Sequence, residues 1–313
     1  MKNVTMNNIK AKYLGGMVGS ALGDAIGELA FLYYKKEDLC TQLDRSKQFR
    51  YTDDTAMSIG LAESILGKGY LDQQDLGETF KNNFGKEPWR GYASGPPTIF
   101  SMVEQLGITY AEAARMLFGG TGSFGNGAAM RVVPVGLFFH NSSDLYEMAR
   151  MSAAVTHAHP VGIDGAAVQA KAVALAVKLD PREAFPREVF MDTLIDFAGT
   201  PEMKEKMLLV QELVNANTTP SFAAEQLGRS VAVHESMPFA LFSFLCHPKS
   251  FEDCLLCAIL HGGDRDTLGA MACAISGAYV GIKAIPESWR EKLENRPHIE
   301  NLAVRLSEIT PVS

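Results

Sequence analysis

Apolar residues recur at three- and four-residue spacing along most of this chain, the pattern of helices that each turn one face inward. The spacing predicts helices over Lys12–Tyr34, Ala56–Leu66, Ala111–Phe118, Leu145–Val155, Gly162–Leu179 and Glu188–Phe197. It predicts more over Pro201–Val214, Phe222–Ala232, Pro238–Leu245, Phe251–Leu260 and Leu268–Ile282. No run of β-branched residues alternates with polar ones, so strands are not expected. Gly and Pro punctuate the joints, as in Ser94-Gly95-Pro96-Pro97, Gly119-Gly120-Thr121-Gly122 and Leu179-Asp180-Pro181-Arg182. No linker or composition break interrupts the pattern. An all-α chain with one domain over residues 1–313 is expected, its residues 1–11 a polar extension.

Two of these helices are dense in small residues. Gly15, Gly16, Gly19, Ala21, Gly23, Ala25 and Gly27 stand in the first, and Gly269, Ala270, Ala272, Ala274, Gly277 and Ala278 in the last. Glycine costs a helix about 1 kcal/mol relative to alanine, so its repeated use implies backbones in close approach at the centre of a bundle.

Composition narrows the function. The chain has 313 residues, 47% hydrophobic and 21% charged, with a formal charge of −7. No basic run appears, which argues against a nucleic-acid surface. No stretch is apolar for the roughly 18 residues a membrane helix needs, and the N-terminus has no signal-peptide core. A cytoplasmic protein is expected. Its five cysteines, odd in number and in apolar surroundings, read as reduced core thiols. Cys254 and Cys257 have CxxC spacing without a second pair and read as packing residues.

Two acidic clusters carry the chemistry. Thr52-Asp53-Asp54-Thr55 follows Arg50-Tyr51, and Asp264-Arg265-Asp266-Thr267 follows His261-Gly262-Gly263; each opens a helix. Caps and dipole complementarity explain one such cluster. Two together, all oxygen donors, suit a hard cation such as Mg²⁺ or Mn²⁺. Between them lies Ser123-Phe124-Gly125-Asn126-Gly127, preceded by Gly119-Gly120-Thr121-Gly122: a glycine-rich loop able to present amides to phosphates, though without Walker spacing. Thr156-His157-Ala158-His159-Pro160 joins two helices and lacks a third ligand for zinc.

In order along the chain stand Gly23-Asp24-Ala25-Ile26-Gly27, Tyr51-Thr52-Asp53-Asp54-Thr55-Ala56-Met57, Arg90-Gly91-Tyr92 and Gly122 to Arg131. Thr156-His157-Ala158, Glu235-Ser236-Met237-Pro238, Gly262 to Thr267 and Pro286-Glu287-Ser288-Trp289 follow. This set resembles the ADP-ribosylglycohydrolase family, over roughly Lys12 to Trp289. The loop and the Glu-Ser-x-Pro segment are most similar to the third type of ADP-ribosyl-acceptor hydrolase, which acts on serine-linked and polymeric ADP-ribose, and less so to the arginine-specific branch.

The resemblance implies a single compact orthogonal helical bundle and two Mg²⁺ ions, with Mn²⁺ as a substitute. Thr52, Asp53, Asp54, Asp264, Asp266 and Thr267 match the family's metal ligands. Thr121, Gly122, Ser123, Phe124, Gly125, Asn126 and Gly127 match the segment that wraps the ADP-ribose phosphates. His157 and Val231 match further substrate contacts, and Phe118 a residue beside the adenine pocket. The implied partner is an ADP-ribose-bearing protein, polymer or metabolite, and the family is commonly monomeric. Asp53, Asp54 and Asp266 would serve catalysis. The family's glutamate, four residues beyond the second glycine of Gly-Asp-x-x-Gly, is Phe31 here. Glu28 is the nearest acid, about 60° short of a full turn away. It could serve if the first helix unwound early; otherwise Glu37 or Asp38 could enter on a mobile loop, or the acid is absent. The expected activity is therefore Mg²⁺-dependent hydrolysis of an ADP-ribosyl bond, O-linked acceptors favoured. Non-catalytic ADP-ribose binding and arginine-specific hydrolysis are the alternatives, while a prenyl-diphosphate enzyme would leave the loop glycines unexplained.

Overall fold

The computed structural model describes residues 6–309. Helices α1 (Met6–Leu32), α2 (Lys36–Arg45), α3 (Asp53–Lys68), α4 (Gln73–Lys86), α5 (Gly95–Leu106) and α6 (Tyr110–Gly120) come first. They are followed by α7 (Gly127–Met130), α8 (Val133–Phe138), α9 (Leu145–Ala154), α10 (Pro160–Ala176), α11 (Arg187–Phe197) and α12 (Pro201–Asn215). The last are α13 (Pro220–Leu227), α14 (Val233–Cys246), α15 (Phe251–Ile259), α16 (Arg265–Val280), α17 (Glu287–Lys292) and α18 (Arg296–Ile309). Among the described residues no strand forms; Phe49 bridges Leu293 and Gly125 bridges Ala232 in isolation.

Local chemistry sets many boundaries. Thr109 and Glu112 close a reciprocal capping box at α6, and Asp72, Thr200, Thr219 and Ser250 each accept an amide of the first turn they precede. Gly69 and Gly107 end α3 and α5 in the left-handed conformation.

The centre is the pairing of α1 with α16. A methyl group on Gly23 would overlap the Gly269 carbonyl, one on Gly269 the Gly23 carbonyl, and Gly15 and Gly277 exclude each other's side chains in the same way. The two backbones therefore touch, as the small-residue pattern implies. Tyr13, Leu22 and Ile26 of α1 and Met271, Cys273 and Ile275 of α16 are buried in one continuous core.

Three expectations change. Residues 1–5 lie outside the described residues, but the rest of the expected polar extension is already the start of α1. Helices α2, α4, α5 and α18 arise where no helix is expected, because each buries only a narrow stripe. The Ala111–Phe118 helix is broken at its end: Leu117, Phe118 and Gly119 leave helical geometry, and Phe118 takes φ +52°. All five cysteines are unpaired, with Cys254 and Cys257 buried in α15.

Candidate active site

The glycine contact fixes where α1 meets the start of α16. A methyl group on Gly27 would stand 2.6 Å from Asp266 Cα. One turn earlier, the wholly buried Asp24 reaches across to α3. Its carboxylate accepts the Thr52 amide (3.0 Å) and hydroxyl (2.8 Å) and the Thr55 amide (3.0 Å) and hydroxyl (2.5 Å). Helix α3 is thus capped from another helix. Thr52 itself caps nothing, and neither does Asp264 at α16. The acidic clusters are not there to cap.

Their side chains converge. Asp53, Asp54, Asp264, Asp266 and Thr267 line one cavity of about 510 Å³, within the range of small-molecule sites. Burial, then Asp24, pushes the Asp53 carboxyl up to about 7. Burial, then Asp264, pushes Asp266 up to about 8. Asp54 is driven well above the carboxylate range by burial and then by Asp24, Asp266, Asp53 and Asp264. Asp24 rises to about 6 from burial, opposed by its four hydrogen bonds. Carboxylates held this way repel unless protons or cations offset them.

The donor set fits a hard cation. Asp54 Oδ1 is buried with no hydrogen-bond partner among the described residues, an arrangement that costs free energy unless something satisfies it. Thr52 Oγ1, with one proton to give, lies 2.8 Å from Asp24 Oδ1 and 3.2 Å from Asp54 Oδ2. Among the described residues, no three His, Cys, Asp or Glu side chains could hold a metal ion as they stand.

The glycine-rich loop forms the facing wall. Phe118, Ser123, Phe124, Gly125, Asn126, Gly127, His157 and Val231 all line the cavity, whereas Thr52, Thr121, Gly122 and Glu28 do not. Gly122 instead packs on the backbone of Ala158 and His159. Not all the amides from Gly122 to Gly127 are open to phosphates. Gly122 donates to Leu117 O, Gly125 to Ser123 Oγ and Asn126 to Val231 O, while Ser123, Phe124 and Gly127 have no such partner among the described residues. Asn126 does more than line the loop: its Nδ2 donates to Asp264 Oδ2 at 2.7 Å and to Ser236 Oγ at 3.2 Å. Arg131, fully buried, donates to the Gly127 and Ser152 carbonyls and lies over Phe80. Burial lowers it to about 9, against the pull of Asp53. His157, pressed beneath Gly127, is lowered to about 3 by burial and then by Arg131; its imidazole is neutral at pH 7.

Helix α1 runs unbroken to Leu32, so the early unwinding considered for Glu28 does not occur. Glu28 is nonetheless close enough for its charge to raise Asp266. Phe31 is 46% exposed, and Glu37 and Asp38 lie on the first turn of α2, away from the cavity wall. The residue whose part was missed is Asp24. The available signal is a carboxylate, one of two with Glu28, in a helix dense in small residues.

The chain is similar to known proteins over nearly its whole length. The family model described as ADP-ribosylglycohydrolase matches residues 5–312. The human protein named ADP-ribosylhydrolase ARH3 is 32% identical, the match covering 96% of this chain and 93% of that protein. The ADP-ribosyl-[dinitrogen reductase] glycohydrolase of Rhodospirillum rubrum is 26% identical over 93% of each. A solved structure titled "ADP-ribosylglycohydrolase-related protein complex" shares the fold with a TM-score of 0.74 at 24% identity, covering 97% of this chain and 100% of that one.

Proposed function

Because the chain belongs to the ADP-ribosylglycohydrolase family, we propose that it hydrolyses the glycosidic bond between ADP-ribose and an O-linked acceptor, with two Mg²⁺ ions as resident cofactors. The observation that carries this is the unpartnered Asp54 Oδ1 among Asp24, Asp53, Asp264 and Asp266. Asp53, Asp54, Asp264 and Asp266, with the hydroxyls of Thr52 and Thr267, would hold the ions. When bound, such ions supply charge stabilisation at the reacting ribose and lower the pKa of a water.

The chain's own groups do the rest. The amides of Ser123, Phe124 and Gly127 hold the pyrophosphate, in keeping with a site that has no arginine in that loop. Phe118, Phe124 and Val231, all exposed at the rim, cover the nucleoside end. Neutral His157 and Arg131 brace the loop from below. Asp54, which lines the cavity, takes the proton of the attacking water and passes it to the departing acceptor oxygen as the bond opens through an oxocarbenium-like state. The O-linked preference rests on the Ser123–Gly127 loop and the Glu235-Ser236-Met237-Pro238 segment.

Asp266→Asn tests the proposal. It should abolish Mg²⁺-dependent release of ADP-ribose from a serine-linked peptide while the melting temperature stays near wild type. Hydrolysis that survived the change, or that EDTA left intact, would sink the two-metal account. A second possibility, ADP-ribose binding without turnover, is favoured by Phe31 alone; it would show calorimetric binding of ADP-ribose and no product.

A further inference from the structure

A group of cations sits beside the cavity without any counter-charge. Arg229 and Arg265 both turn toward Gly262. The point where a side chain on Gly262 would begin lies 3.4 Å from Arg229 Nε, 4.0 Å from Arg229 Nη2 and 4.0 Å from Arg265 Nη2. The two guanidiniums are close enough to repel, and both also act on His261. Neither makes an ion pair among the described residues. Each gives one nitrogen to a carbonyl: Arg229 Nη1 to Ala224 O at 3.0 Å, and Arg265 Nη1 to Ile259 O. That bond holds the side chain in place and leaves its other donors unspent.

The carboxylates on either side of Arg265 do not relieve this charge. Asp264 and Asp266 line the cavity, where Asp264 Oδ2 meets Asn126 and Asp266 Oδ1 meets the Thr267 amide. Half-buried, preordered guanidiniums with no carboxylate partner suit a phosphate. Gly262, at positive φ, puts no side chain between them.

We infer that Arg229, Arg265 and His261 form an acceptor-side phosphate subsite that holds the pyrophosphate of the neighbouring unit in an ADP-ribose polymer. This rests on the proposed hydrolase function. The cluster is on the acceptor side because Arg265 is one residue from Asp264 and Asp266, where the bond to the acceptor would be cut. The pyrophosphate of the ADP-ribose being released is served separately, by the loop amides.

Steady-state kinetics on two substrates test it. ADP-ribose polymer carries an acceptor-side phosphate and O-acetyl-ADP-ribose carries none. Arg229→Gln and Arg265→Gln should each raise KM for polymer about tenfold, with kcat changed less than about twofold and O-acetyl-ADP-ribose unaffected. The polymer KM of wild type should rise with added KCl more steeply than that of either variant, and Arg229→Lys should recover part of the loss. Equal effects on both substrates, or none on polymer, would overturn the inference. A wild-type protein that turned over neither substrate would instead defeat the hydrolase function. The subsite would then be read by titrating ADP-ribose dimer and monomer into the same variants: selective loss of dimer binding supports it, and equal or absent loss rejects it.

Discussion

Stripping divalent ions should make this protein lose stability as pH rises from 6.5 to 8, and Mg²⁺ should reverse the loss. Asp266 is raised to about 8 and Asp54 well beyond the carboxylate range, both from an ordinary 3.8. A carboxyl with a raised folded pKa stabilises the fold below its unfolded value, and that stability is lost as pH climbs to the folded value. Asp53, raised to about 7, adds to the trend in the lower part of this window. His157, lowered from 6.5 to about 3, opposes the trend only below 6.5, and Lys12, lowered from 10.5 to about 8, only above 8. One carboxyl kept protonated in the fold across this interval costs about 2 kcal/mol. Asp266 alone sets a loss of about 2 kcal/mol, and Asp54, raised by burial and by its neighbouring carboxylates, acts in the same direction. At this chain length that is a melting-temperature drop of roughly 3 °C. Urea unfolding at both pH values, with EDTA and with Mg²⁺, reads the effect. Metal-free stability that is flat or rising across the interval would refute the electrostatic account, as would Mg²⁺ stabilising no more at the upper pH than at the lower.

Other substitutions probe single contacts. Glu28→Gln should lower kcat about a hundredfold if Glu28 replaces the family's glutamate, and unchanged turnover would remove it from the mechanism. Asn126→Ala should weaken Mg²⁺ binding about tenfold through the lost bond to Asp264; calorimetry with Mg²⁺ alone reads this, and unaltered affinity would mean Asp264 holds its place without help. Gly23→Ala should cost about 1–3 kcal/mol or more, because the obstacle is the Gly269 backbone. Gly85→Ala, with nothing within 4 Å, should be neutral or slightly stabilising. Equal melting temperatures for these two variants would contradict the close approach of α1 and α16.

Much of this was legible in the chain. The glycines of α1 and α16 could be read as a contact because nothing local rewards glycine inside a helix. The two Thr-Asp clusters stood out because their oxygen donors recur behind turn-forming residues. Other features depend on partners that periodicity does not reveal. The polar helices α2, α4 and α18 bury too narrow a stripe to announce themselves. Phe118 adopts a left-handed conformation that its residue type disfavours. The Asn126 amide is taken by Val231, more than a hundred residues on. Asp24 shares its helix with Glu28, and its four donors belong to Thr52 and Thr55, at the start of a helix that follows α2.

The contact of Gly15 with Gly277 and of Gly23 with Gly269 also constrains how the molecule can be made. On the ribosome the first helix emerges long before the surface that receives it, and contacts of such sequence separation slow folding. Until then its bare stripe stays open to chaperones. A nascent chain stalled before residue 269 should therefore be protease-sensitive throughout, with catalysis arriving all at once near the end of synthesis.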